Sequence, residues 1–167
     1  MKTLRYLLLA SLLMLLHTSG AYAQWVETDG PSLGTVYSFG VTGTSIFVGT
    51  GQGVFRSIDN GQSWRACGSW YNSWQVEAFL VYGSSIYAAS GRIMVSSDDG
   101  RTWQPSTTGL DGDGGDPCTF ATIDTVLFVG MRSNGGDLYR STDFGASWNQ
   151  AEAGLTDMTV ATTCTSL

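Results

Sequence analysis

The chain carries one eight-residue pattern three times: Ser57-Ile-Asp59-Asn-Gly61-Gln-Ser63-Trp64, Ser96-Ser-Asp98-Asp-Gly100-Arg-Thr102-Trp103 and Ser141-Thr-Asp143-Phe-Gly145-Ala-Ser147-Trp148. The leading serines stand 39 and 45 residues apart. Self-similarity at a period of roughly 40 to 50 residues marks a repeat architecture, in which each unit is one supersecondary element that buries its apolar faces against its neighbours.

The flanks of each octet repeat as well. An apolar anchor precedes it, Ile46-Phe47-Val48-Gly49, Ile86-Tyr87-Ala88-Ala89 or Leu127-Phe128-Val129-Gly130, and seven residues before each anchor stands Phe39, Phe79 or Phe120. A Gly-containing turn and a short apolar segment then lead into the octet. These segments are short, rich in β-branched and aromatic residues, and bounded by Gly, Ser, Asn and Asp, as strands are. Four antiparallel strands per unit of this length predict an all-β chain of β-propeller blades. The units fall roughly at 36–70, 76–109 and 118–154, with the octet as the turn between third and fourth strands and the last strand opening at the Trp. Trp25 to Gly30 matches a fourth strand, and 158–167 a first strand. About three blades with partial strands at both ends predict an incomplete ring, from a fragment or a chain that self-associates through exposed blade edges.

The octet Ser-x-Asp-x-Gly-x-Ser/Thr-Trp resembles the Asp-box, or bacterial neuraminidase repeat, found in sialidases, sortilin-type receptors, photosystem II assembly factors and many secreted bacterial propellers. All three copies match at every specified position, and the surrounding units resemble the uncharacterised secreted type. The resemblance implies that Ser57, Asp59, Gly61, Trp64, Ser96, Asp98, Gly100, Trp103, Ser141, Asp143, Gly145 and Trp148 are structural, on the side away from any active face. The residues themselves support that assignment: Asp and Ser can accept from turn N–H groups, Gly permits positive φ, and Trp supplies a large apolar area.

Residues 1–23 read as a secretory signal peptide, with Lys2 and Arg5, a Leu-rich run and the small-residue site Ala21-Tyr-Ala23. The apolar run is shorter than the roughly 20 residues a membrane span needs. The expected location of 24–167 is therefore secreted or periplasmic, with no membrane span. Beyond residue 23 stand six arginines and all fourteen carboxylates, a balance with no footprint for nucleic acid. The single histidine, His17, and single lysine, Lys2, precede that point. Residues 24–167 thus contain neither a Ser-His-Asp triad nor a His-ligated zinc site. Cys67, Cys118 and Cys164 follow no metal spacing; they read as ordinary buried residues, or as one disulfide plus a third cysteine.

Antiparallel order places the octets on one face and the candidate binding loops on the other. That other face is predicted to carry the aromatic cluster Trp70, Tyr71 and Trp74, together with Arg92 and Arg132. Tyr37 and Glu77 hold equivalent positions, nine residues before their anchors, at the start of the first strands of their units near the ring axis. Asp111, Asp113 and Asp116 alternate on a Gly-rich loop as candidate calcium ligands, although the EF-hand pattern is absent; otherwise no cofactor is expected. A sialidase-like glycosidase needs an arginine cluster, a Tyr–Glu pair and an acid. Those residue types are present, but the Arg-Ile-Pro motif is not, since Met94 follows Arg92-Ile93, and no catalytic residue carries over by motif. The expected function is a non-enzymatic exported scaffold binding a protein or glycan. The alternatives are a sialidase-like glycoside hydrolase fragment and a photosystem II assembly factor-like protein.

Overall fold

The computed structural model describes residues 30, 34–68, 75–110, 116–132 and 138–151. The signal segment, the end strands expected at 25–30 and 158–167 (Gly30 apart), Trp70, Tyr71, Trp74, Asp111, Asp113 and Cys164 lie outside the described residues.

Twelve strands form among the described residues. The first sheet holds β1 (Val36–Val41), β2 (Ile46–Thr50), β3 (Gly53–Ser57) and β4 (Arg65–Cys67). The second holds β5 (Ala78–Tyr82), β6 (Ser85–Ala89), β7 (Ile93–Ser96) and β8 (Gln104–Pro105). The third holds β9 (Pro117–Ile123), β10 (Val126–Met131), β11 (Leu138–Ser141) and β12 (Asn149–Gln150). Each sheet runs in sequence order with antiparallel neighbours. These are three blades of a β-propeller, fewer than the four to eight of a closed ring.

The core sits in the seams between blades. In β2 four consecutive residues, Phe47 to Thr50, are buried, and in β6 Ile86 to Ala89. A continuous apolar run of this kind marks a strand covered on both faces. One apolar cluster joins the first two blades through Phe47, Val54, Cys67, Val76, Ile86 and Ala88. The other joins the second and third through Tyr87, Ile93, Leu127, Val129, Tyr139 and Trp148, with Leu110 and Met131. The same aromatic contact recurs in both seams: Phe47 meets Phe79 with ring centroids 6.4 Å apart, and Tyr87 meets Phe120 at 6.5 Å.

The octets are one hydrogen-bonded device built three times. In the first, the Ser57 hydroxyl donates to Asp59 Oδ1 at 2.7 Å and accepts from the Gly61 N–H at 2.8 Å. Asp59 in turn accepts from the Ser63 N–H at 2.9 Å and its hydroxyl at 2.6 Å. The other two octets repeat these bonds through Asp98 and Asp143. Each turn places two residues at positive φ, Asn60-Gly61, Asp99-Gly100 and Phe144-Gly145.

The tryptophans differ from expectation. The fourth strands begin one residue after each Trp. Trp148 donates its backbone N–H to Thr108 O of the preceding blade at 2.8 Å, outside its own ladder. Trp148 is buried, whereas Trp64 and Trp103 are half-buried. Trp148 Nε1 reaches the Ser106 hydroxyl at 3.0 Å, but Cys67 occupies that place in the first blade, and Trp103 Nε1 turns to Gly100 O at 3.1 Å. Burial pushes the Cys67 thiol pKa up, and Cys118 on β9 is disulfide-bonded.

The octet aspartates set an acid limit. Hydrogen bonds from the Ser63, Thr102 and Ser147 side chains, then from their backbone N–H groups, hold the pKa values of Asp59, Asp98 and Asp143 at about 2, below the ordinary 3.8. Depressed carboxylates contribute stability in full above the unfolded value, and the contribution is lost as pH falls through the folded one. Denaturant titrations across pH 5 to 2 should show stability falling mainly between about pH 4 and 2. Asp143→Asn should flatten that slope by about a third; an unchanged slope would rule out the assignment.

Candidate functional site

The face opposite the octets is built where β1, β5 and β9 begin and β2, β6 and β10 end. The segment Gln75 to Glu77 is stitched across the first seam. The Val76 N–H donates to Thr50 O at 3.2 Å, the Glu77 N–H to Ala89 O at 2.9 Å, and the Ser38 hydroxyl to Val76 O at 2.6 Å. Val76 is fully buried. Gly49 makes this crossing feasible, because a Cβ there would stand 2.5 Å from Val76 O. The backbone of Glu77 is thereby fixed on the rim.

Across the second seam the Arg132 guanidinium meets the Glu77 carboxylate in a two-pronged ion pair, Nη1 to Oε1 at 2.5 Å and Nη2 to Oε2. Arg132 is itself anchored by its N–H to Asp116 O at 2.7 Å. The Glu77 hydrogen bonds raise the Arg132 pKa above its ordinary value. A bidentate guanidinium–carboxylate pair fixes orientation as well as charge. Over the first seam, Gln75 Nε2 donates to the Tyr37 hydroxyl at 2.9 Å.

The structure therefore brings together Glu77 with Arg132 and Tyr37 with Gln75, and forms no hydrogen bond between Tyr37 and Glu77 among the described residues. Arg92 lies on the same face, exposed in the β6–β7 turn, where its carbonyl accepts from the Ser90 N–H at 3.0 Å. Asp116 is exposed beside Arg132. Among the described residues no group of three or more His, Cys, Asp or Glu is arranged to hold a metal. No helix there is long and apolar enough to cross a membrane.

Two features escaped the sequence reading. Gln75 carries no motif. A groove of about 640 Å³ lies between the first two octets and β4, lined by Arg56, Ile58, Arg65 and Arg101 among others. Arg56 in that groove is ion-paired with Asp99 of the next blade. The two members are 43 positions apart, beyond any local pattern.

No protein-family model matches the chain. A xyloglucanase of Hypocrea jecorina is 28% identical over 130 residues, covering 70% of this chain and 15% of that enzyme. YCF48 bound to a D1 peptide superposes with a TM-score of 0.62 at 17% identity, over 78% of this chain and 45% of that one. An ancestral GH74 enzyme does so with a TM-score of 0.62 at 15% identity, over 78% and 20%. The chain thus spans less than half of each of these three proteins. The two solved structures show the fold, and both contain the β-propeller blades described above.

Proposed function

We propose that this chain is an exported Asp-box propeller segment that binds a protein or glycan partner on the face opposite the octets, without catalysis and without a cofactor. The observation that carries this reading is the state of Glu77: both carboxylate oxygens accept from Arg132. A carboxylate held in that way fixes the guanidinium in place, a positioning role on the rim. Tyr37, which a sialidase-like site would pair with Glu77, is engaged with Gln75 instead. The rim is a fixed polar surface of amide, phenol, guanidinium and carboxylate groups spanning two seams, suited to a partner that bridges blades. YCF48 with its D1 peptide is a precedent for protein binding on this fold. The signal segment supports export to the periplasm or beyond.

A second reading, glycoside hydrolysis, is favoured by the sequence similarity to the xyloglucanase. Incubation with xyloglucan and with a fluorogenic sialoside separates the two. The binding reading expects no new reducing ends and no released fluorophore. It expects capture by immobilised protein or glycan candidates to weaken by about tenfold in Arg132→Ala, the loss of one charge-assisted anchor. Turnover of either substrate that Glu77→Gln abolishes would overturn it in favour of hydrolysis.

A further inference from the structure

The first seam carries charge that the blade repeat does not require. Arg56, Arg65 and Arg101 line the groove between the first two octets and β4. The corresponding places around the second seam hold Val95, Gln104 and Ala146, and that seam packs without an arginine at any of them. Phe144 there takes the place of Asp99, and the Tyr87 hydroxyl donates to its carbonyl oxygen at 2.6 Å where the first seam has an ion pair. Half of the arginines beyond residue 23 thus meet in one groove.

The cluster also carries a cost. Arg56 and Arg65 stand directly opposite each other in the β3–β4 register, where like charges are unfavourable. The neighbouring carboxylates are already engaged. Asp99 accepts from Arg56, from the Ser45 hydroxyl at 3.1 Å and from the Thr42 hydroxyl at 3.4 Å. Asp59 accepts from the Ser57 and Ser63 hydroxyls within its own octet. Arg65 and Arg101 are exposed, and their guanidiniums form no hydrogen bond or ion pair among the described residues. Three guanidiniums against two carboxylates leave the groove positive, in a chain whose fourteen carboxylates outnumber six arginines beyond residue 23. That wider negative field disfavours an extended polyanion and admits a compact one. The groove also has an apolar side. Ile58 is 71% exposed and lines it with Ala66, whereas Ser97 and Thr142 hold the place of Ile58 in the other octets. Its volume of about 640 Å³ falls within the range of small-molecule sites, about 300–1,000 Å³.

We propose that this groove binds a compact organic oxyanion. Arg65 and Arg101, one from each blade, hold its carboxylate, sulfate or phosphate group, and Ile58 and Ala66 receive its apolar body. Arg56, held by Asp99 and by the Ser45 hydroxyl, adds fixed positive charge. The site lies beside the octets, away from the Glu77–Arg132 rim, and is independent of what that rim binds.

Amide NMR titrations of the purified protein test this. The probes are phenyl phosphate, phenyl sulfate and benzoate, with phosphate, sulfate and formate as counterparts lacking the ring and benzyl alcohol as the neutral one. At least one aryl oxyanion should bind with a Kd of about 1 mM or tighter, shifting the amides of Ala66, Gly68, Gly100 and Arg101; the tightest of the three identifies the oxyanion. Arg65→Gln and Arg101→Ala copy residues that the second seam already accommodates, and each should weaken binding about fivefold or more. Ile58→Ser should bring the aryl probe down to its counterpart without the ring. Arg140→Ala, which removes the same charge from β11, should leave binding unchanged. Melting curves show that the variants stay folded. Silence toward every oxyanion, benzyl alcohol bound as tightly as the aryl oxyanions, indifference to both Arg65→Gln and Arg101→Ala, or an equal loss in Arg140→Ala would each overturn the proposal. Phosphate, sulfate or formate bound as tightly as its aryl counterpart would overturn the assignment of an organic ligand.

Discussion

Trp148→Ala should lower the stability of the protein by about 3–5 kcal/mol, the range for removing a large buried aromatic. Trp148 is 1% exposed and belongs to the apolar cluster that unites the second and third blades. Its ring fills the seam, its Nε1 reaches Ser106, and Ser106 in turn donates to Gly145 O at 2.5 Å. Truncation opens a cavity lined by residues of two blades and removes the indole from a three-part polar chain. The same substitution at Trp64 should cost less, about 1–2 kcal/mol, because that ring is half-buried and its Nε1 makes no hydrogen bond among the described residues. Chemical denaturation of the two variants checks both values. Equal losses would show that the octet tryptophans serve their own turns and not the seams.

The second large effect lies at Gly109. Its φ is +83°, and a Cβ there would stand 2.1 Å from Trp148 O, a backbone atom that cannot move without shifting β12. Gly109→Ala should therefore cost about 3 kcal/mol or more, combining left-handed strain with a forced displacement of the seam. Gly83 separates the two contributions. Its φ is +61°, and a Cβ there would meet nothing within 4 Å. Gly83→Ala should cost only the backbone term, about 1–2 kcal/mol. If the pair lose the same amount by denaturant unfolding, the close approach of Gly109 to the third blade carries no energy.

Blade architecture was legible because its cause is local. A turn that needs Ser, Asp, Gly and a hydroxyl at set offsets leaves those residues in the chain at set offsets, and three copies reveal the period. The order of strands within each sheet follows, since short antiparallel strands joined by tight turns pair with their neighbours. What joins one blade to the next was less visible. Arg56 and Asp99 are 43 positions apart, and Arg132 and Glu77 are 55 apart. Neither pair repeats, because each seam uses different chemistry at the same place: an ion pair beside Phe47, a phenol to a carbonyl beside Tyr87. Reading by equivalent position groups Tyr37 with Glu77, whereas the fold pairs each with a residue reached across a seam. The unequal tryptophans have a similar origin. Whether an indole finds a neighbour's hydroxyl depends on one residue three places after the previous Trp, Ser106 in one blade and Cys67 in another.

The outermost strands β4, β8 and β12 are only two or three residues long. A sheet margin that brief offers almost no backbone ladder for an incoming chain to extend, and its side chains there, Arg65, Gln104, Asn149 and Gln150, are exposed and polar. Stacking strand upon strand outward from the rim is the route by which exposed β-structure grows into fibrils. Here that route is closed at the periphery. Brevity and polarity thus leave strand addition little to begin on at the outer margin of each sheet.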